Sequence, residues 1–187
     1  MSTSSDRLEM PLRYAPACSS SFRLAVLAIL ALLAVPAAAA PKLGASTGLP
    51  LPRFASLGSN EINVRSGPGL RHPILWQFRQ AGLPVLVRDE VAEWRLIEDS
   101  TGDEGWIHAP LLANRRTVLV QGEVRDLLRT PSDPTRVLLR LEPGVIGELE
   151  SCPDDWCRIG VRTGGGVQEG WLRRGAVWGL LEGEVVD

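Results

Sequence analysis

The sequence predicts an all-β chain: two small strand-built units in tandem, behind a short leader of different character. Three observations predict it. Past residue 53, apolar residues come in brief runs such as "EINVR", "PVLVRDE", "EWRLIED" and "RTVLV", separated by Gly, Pro, Asp and Asn. These runs carry no helical period over three turns, and frequent turn residues between short apolar runs are the mark of small barrels or sandwiches. A tryptophan-bearing pattern recurs after about sixty residues. Residues 1–40 hold a basic, then apolar, then small-residue succession unlike the rest of the chain.

The leader comes first. Arg7, Arg13 and Arg23 precede "LAVLAILALLAV", and Pro36 and "AAAA" follow. That order predicts an export signal over residues 1–40, with cleavage after Ala38 or Ala39. The apolar run, Leu24 to Ala40, is 17 residues long and contains a proline. It stands at the short limit for a membrane span, which needs roughly 20 residues, so an uncleaved anchor is the alternative and the only membrane contact expected. Met10 is an alternative start. The expected location is periplasmic or extracellular. Residues 41–52, "PKLGASTGLPLP", mix Pro, Gly, Ser and Thr without periodicity and read as a linker.

The repeat divides the remainder of the chain. Trp94 sits in "AEWRLIEDSTGDEGWIH" and Trp156 in "DDWCRIGVRTGGGVQEGWLR". Each copy reads Asp/Glu-Trp, a strand, a Gly-containing turn, then Glu-Gly-Trp-apolar. Trp94 and Trp156 are 62 residues apart, Trp106 and Trp171 are 65 apart, and the longer turn "RTGGGVQ" accounts for the difference. Upstream, "QAGLPVLV" matches "LEPGVIGEL", and "NVRSGPG" matches "LLRTPSDP" with Arg65 opposite Arg129. A period of this length is one domain per copy. The expected domains are 53–120 and 121–187. Each is small for a stable core, so the copies are expected to dock through "RTVLV", Arg116 to Val120.

"LPRFASLGSNEINVRSGPG", followed by "GLPV", "EWRLI" and "EGWIH", resembles the bacterial SH3-like domains of exported envelope proteins. The resemblance covers nearly all of the chain beyond the leader. The first copy matches more closely; in the second, "TPSDP" replaces the Gly-Pro-Gly turn and Asn63 has no clear partner. The resemblance implies two tandem small SH3-like barrels. It also implies a non-catalytic targeting or binding role, toward cell-wall peptides or glycans or toward other envelope proteins.

The residues agree with that fold. A strand ending in Ser66-Gly67-Pro68-Gly69 must turn sharply, since Gly admits positive φ and Pro pre-sets φ for a turn. "SCPDDWC" puts a Pro-Asp-Asp turn between Cys152 and Cys157. In a hairpin such residues face each other at a separation that suits a disulfide, and an exported chain is oxidised. Cys18 would leave with the leader. The C-x-x-x-x-C spacing is not the redox C-x-x-C, and zinc would find only His72 and His108 beside it, both in the other copy, so no metal is expected.

Composition narrows the function classes. The net charge is -2, which supplies no basic field for a phosphate backbone, and nucleic acid is not expected as a partner. No phosphate-binding or dinucleotide glycine pattern occurs, so no cofactor is expected. A cysteine nucleophile would need a free thiol and a histidine base, and no serine nucleophile turn is present. The acid pairs Asp89-Glu90, Asp103-Glu104 and Asp154-Asp155 read as solvated turn residues. No catalytic group is therefore assigned. In the architecture that the resemblance implies, His72 and His108 approach the cleft beside the first turn, and the candidate binding cleft for an anionic or peptide ligand is Arg65, Arg71, His72, Trp76 and His108, with cationic donors for a carboxylate and an aromatic wall. Trp76 aligns with Ile74 and Phe78 and is a groove wall or a core residue. Trp106 and Trp171 read as core or core-edge. Alternation puts Cys157, Ile159 and Val161 on the core face, which leaves Trp156, and by analogy Trp94, partly exposed or packed against the other copy.

Overall fold

The computed structural model describes residues 41–113 and 115–187; the export leader expected over 1–40, with Cys18, lies outside them. The strands are β1 (Lys42–Leu43), β2 (Pro50–Leu51), β3 (Arg53–Leu57), β4 (Ile62–Arg65), β5 (Ile74–Phe78), β6 (Pro84–Val91), β7 (Trp94–Glu98), β8 (Glu104–His108) and β9 (Leu112–Ala113). They continue as β10 (Thr117–Val120), β11 (Arg125–Leu128), β12 (Val137–Leu141), β13 (Ile146–Ser151), β14 (Trp156–Thr163), β15 (Gly166–Arg173) and β16 (Val177–Trp178). One sheet runs β5-β4-β8-β7-β6-β3-β9 and the other β12-β11-β15-β14-β13-β10-β16. The two orders are the same, strand for strand. In both copies a single 3₁₀ turn, Ala109–Leu111 or Arg174–Ala176, leads into the last strand. The fold is all-β, two SH3-like units in tandem.

Bulges bend each sheet at matching places. They fall between Val64 and Arg65 and between Val87 and Asp89 in the first copy, and between Leu127 and Leu128 and between Leu149 and Ser151 in the second. An extra residue in one strand locally raises twist and bends it, so a short antiparallel sheet can curl around one small core. Each copy has its own. Leu57, Ile62, Val64, Val85, Val87, Ile97 and Ile107 fill the first, and Val118, Val120, Leu127, Ile159, Val161 and Leu172 belong to the second.

The repeated Glu-Gly-Trp has a steric cause. Gly105 in β8 lies against β4, and a Cβ there would overlap Val64 Cγ1 and come within 3.2 Å of the Arg65 carbonyl. At the equivalent Gly170, a Cβ would meet Leu127 Cγ at 2.6 Å and the Leu128 carbonyl at 2.9 Å. Only glycine allows the neighbouring strand to pass so close.

Two boundaries differ from the sequence expectation. The linker expected over 41–52 is a folded hairpin, β1 against β2, and Leu51 is buried in the first core. Its loop closes over Glu90. The Glu90 carboxylate accepts bonds from the Ser46 and Thr47 amides and the Thr47 hydroxyl, and it pairs with Arg53 at 2.7 Å and Arg95 at 3.5 Å. Gly44 completes the cradle, because a Cβ there would collide with the same carboxylate. The reading of Asp89-Glu90 as a solvated turn pair therefore fails for Glu90. It lies within β6, and its side chain is fully buried. Burial pushes its pKa up, but the bonds from Thr47 and Arg53 outweigh burial and hold it below the ordinary glutamate value.

The second boundary is the end of the first domain, expected at Val120. β10, Thr117–Val120, instead pairs with β13 and β16 and belongs to the second sheet. Its first residue, Thr117, bonds across the junction between the copies. Thr117 donates its hydroxyl proton to the Gly82 carbonyl at 2.6 Å, so the Ser56 hydroxyl, also 2.6 Å away, must be the donor to Thr117 Oγ1. Both hydroxyl residues are buried. Phe54 meets Trp178 edge-on at 4.8 Å across the same junction. The 116–120 segment thus contributes the hydrogen bonds of Thr117 to the docking, and the Phe54–Trp178 pair adds a contact from outside that segment.

Candidate functional site

The clearest candidate is a groove on the first copy, of ≈ 430 Å³. Its walls come from β4, the turn after it, the β6–β7 turn and the end of β8. Trp94 and His108 are cross-strand partners in the β7–β8 hairpin, and their rings lie 5.4 Å apart, tilted by 50°. Glu93 brings a carboxylate to 3.4 Å from His108 Nε2. Arg65, Asn63 and Glu61 stand opposite on and beside β4, and Leu70 and Leu111 supply apolar surface.

The turn after β4 answers why Asn63-Val64-Arg65 precedes Ser-Gly-Pro-Gly. Arg65 Nη1 donates to the Leu70 carbonyl at 3.1 Å and the His72 carbonyl at 2.8 Å, lacing the turn shut. The His72 ring lies flat on Gly67, where a Cβ would sit 2.6 Å from it. Gly67 is required for space rather than for an unusual backbone angle.

The five residues grouped from sequence therefore separate. Arg65 and His108 do line one groove. His72 is half-buried in the turn, and Arg71 beside it is exposed to solvent. Trp76 packs on the first core, with Phe78 edge-on at 6.1 Å, which decides between its two sequence readings in favour of core. The sequence reading missed Trp94, Glu61, Glu93 and Leu70 as groove residues. The signal for Trp94 was present: it pairs across a hairpin with His108, and the same pairing recurs as Trp156 with Arg173.

The second copy holds the equivalent place in a different state. There the cavity is ≈ 170 Å³ and is lined by Asp126, Leu128, Trp156, Arg173 and Ala176, the positions equivalent to Asn63, Arg65, Trp94, His108 and Leu111. The Arg173 guanidinium carbon lies 3.9 Å over the Trp156 ring, and Arg173 Nη2 bonds Asp133 at 2.7 Å. Trp156 is buried in consequence, at 8% exposure, and what covers it is Arg173 of its own copy, so it follows neither expectation, partial exposure or packing against the other copy. The match of Arg65 with Arg129 also shifts. Arg65 pairs with Trp106 and Leu128 with Trp171, so Leu128 is the true counterpart and the second copy has no arginine there.

The cysteines join as expected: Cys152 and Cys157 form a disulfide with Cα atoms 4.1 Å apart. Nearby, Arg174 donates to the carbonyls of Cys152, Asp154 and Glu184, tying the hairpin to the C-terminal segment. Glu184 pairs with Arg116 at 2.8 Å. Burial raises its pKa, yet the bonds from Arg116 and the Leu181 amide outweigh that and leave it below the ordinary value. Among the described residues, no group of three His, Cys, Asp or Glu side chains is placed to hold a metal ion.

Two barrels of equal strand order, each with a Trp-bearing β hairpin next to a bulged strand pair, β4–β5 or β11–β12, define an SH3-like class of protein. Residues 58–114 and 122–179 each match the bacterial SH3 domain, and the chain belongs to that family. No curated protein matches the chain. Among solved structures, NlpC2 from Trichomonas vaginalis is 14% identical over 68% of this chain, and NlpC1 from the same organism is 15% identical over 72%. Each alignment covers 48% of the solved chain and has a TM-score of 0.30. This chain thus spans about half the length of those structures, and at that likeness their names carry nothing about its activity.

Proposed function

We propose that the chain is an exported, non-catalytic binding module whose first copy docks on cell-wall peptide, while the second copy supports it. The observation that carries this reading is the asymmetry of the two grooves. The first is open, with an aromatic wall at Trp94 and with Arg65 held in place by its own turn. The second is filled by Arg173. A groove with a few fixed polar groups around an apolar wall is the ordinary form of a small-ligand site, and the remaining Arg65 N–H groups suit a peptide carboxylate. Export is supported by the basic-apolar-small leader pattern and by the Cys152–Cys157 bridge, which an oxidising compartment favours. A non-catalytic role is supported by the same bridge, since neither joined sulfur can act as a nucleophile.

Retention on purified cell-wall sacculi tests the proposal. The full chain should be retained above an exported control protein of similar charge, and Trp94→Leu should reduce that retention. Equal recovery of chain and control would refute it.

A second reading has its own observation. β5 is an edge strand of the first sheet, and Ile74 and Leu75 on it are 50% and 52% exposed. Unpaired strand edges accept a partner's strand, so a protein of the envelope is the alternative ligand. Photo-crosslinking from position 75 that captured one discrete protein, with sacculi binding absent, would favour this reading.

A further inference from the structure

The filled groove of the second copy indicates what chemistry the open one accepts. Trp156 carries a guanidinium on its face, and Asp133 holds that guanidinium from the side. In the first copy the equivalent Trp94 is only half-buried, because the tilted imidazole of His108 does not cover it as Arg173 covers Trp156. Two carboxylates, Glu61 and Glu93, border this groove against one guanidinium, Arg65, which is already bonded to two carbonyls. Those three side chains together carry one net negative charge.

We propose that the groove of the first copy binds a cationic side-chain group, a primary ammonium or guanidinium of a peptide, against Trp94 with Glu93 and Glu61 as its counter-charges. The second copy satisfies the same subsite internally with Arg173 and Asp133. The attraction of a cation to an indole face strengthens as water is excluded, and a flanking carboxylate adds a charge-assisted hydrogen bond. Arg65 stands across the groove, so a ligand with an ammonium at one end and a carboxylate at the other fits both walls. This inference rests on the proposed binding role and names the ligand chemistry of the same site. It reverses the emphasis of the sequence reading, which had cationic residues awaiting an anion.

The test uses the full chain and two probes: a short peptide with one lysine, and the same peptide acetylated on the lysine amine. Indole N–H shifts and titration report binding. The lysine peptide should perturb Trp94 and leave Trp156 unchanged. Acetylation should weaken binding about tenfold, and Glu93→Gln should do the same for the lysine peptide alone. Arg173→Ala should open the second groove, so that Trp156 then shifts with the lysine peptide. Glu93 is exposed, which makes Glu93→Gln a variant that folds, and it serves as the control should Arg173→Ala unfold the second copy. Equal binding of both peptides, or binding that leaves Trp94 unperturbed, would overturn the proposal. Sacculi arms separate it from the broader function. Retention that survives chemical acetylation of wall amines keeps the wall-binding role and rejects the cation subsite; no retention with tight lysine-peptide binding does the reverse.

Discussion

Replacing Glu90 with glutamine removes a buried charge from between two arginines while keeping the shape of the side chain. In the native chain that carboxylate accepts from the Ser46 and Thr47 amides, the Thr47 hydroxyl, Arg53 and Arg95. The amide keeps one acceptor oxygen and turns an NH₂ toward cations. Breaking a buried pair by deleting one partner costs about 3–5 kcal/mol, and the lower end applies here because Arg53 remains partly solvated. Chemical unfolding of the Glu90→Gln chain should therefore show a loss of about 3 kcal/mol. Hydrogen exchange should speed up at Ser46 and Thr47 before any other segment. The pH dependence has a definite sign. Glu90 is held below its ordinary value of 4.5 in the folded chain, so its stabilisation is present above that value and is lost as pH falls through the folded pKa. Glu184 behaves alike. The variant should thus lose less stability than the native chain on acidification. Unchanged stability at neutral pH, with Ser46 and Thr47 still protected, would refute the view that this carboxylate holds the hairpin down.

Three further outcomes are expected. Protein recovered from the periplasm or medium of expressing cells should have a mass two daltons below that of the reduced chain, and the Cys152→Ser, Cys157→Ser double variant should lose about 2 kcal/mol, the loop-closure value for so short a loop. Two alkylatable thiols in the recovered protein would contradict this. Gly105→Ala should cost about 1–3 kcal/mol in unfolding experiments, because its methyl group lands on Val64 in a packed core. Thr117→Val should cost about 2 kcal/mol, since it strands the Gly82 carbonyl and the Ser56 hydroxyl in a buried junction.

The fold was legible because it is written twice. Alternation placed Cys157, Ile159 and Val161 on the core face, and all three are buried. The repeated Glu-Gly-Trp marked equivalent strands in the two copies, while the close strand approach at Gly105 and Gly170 became visible only in the structure. What escaped depended on contacts that sequence does not order. Glu90 looked like a turn acid because its partners on the hairpin are 43 and 44 residues away. Arg65 was matched with Arg129 by residue identity before a turn; strand pairing sets the match one residue earlier, with Leu128 facing Trp171 as Arg65 faces Trp106. Trp156 was expected to be partly exposed or packed against the other copy because alternation assigns faces, and it cannot show that Arg173 of the same copy would cover the outer one. Arg71 and His72 were grouped with Arg65 because the resemblance places the turn beside the cleft. The turn they occupy directs the His72 ring onto Gly67, and neither residue lines the groove.

Amide shift mapping of the full chain with soluble cell-wall peptides tests most directly whether the first copy is the binder. Shifts should gather at Asn63, Trp94 and His108, with Trp156 and Arg173 silent. Shifts centred on the second copy, or no shifts at peptide concentrations that saturate a known wall-binding domain, would contradict the division of labour between the two barrels.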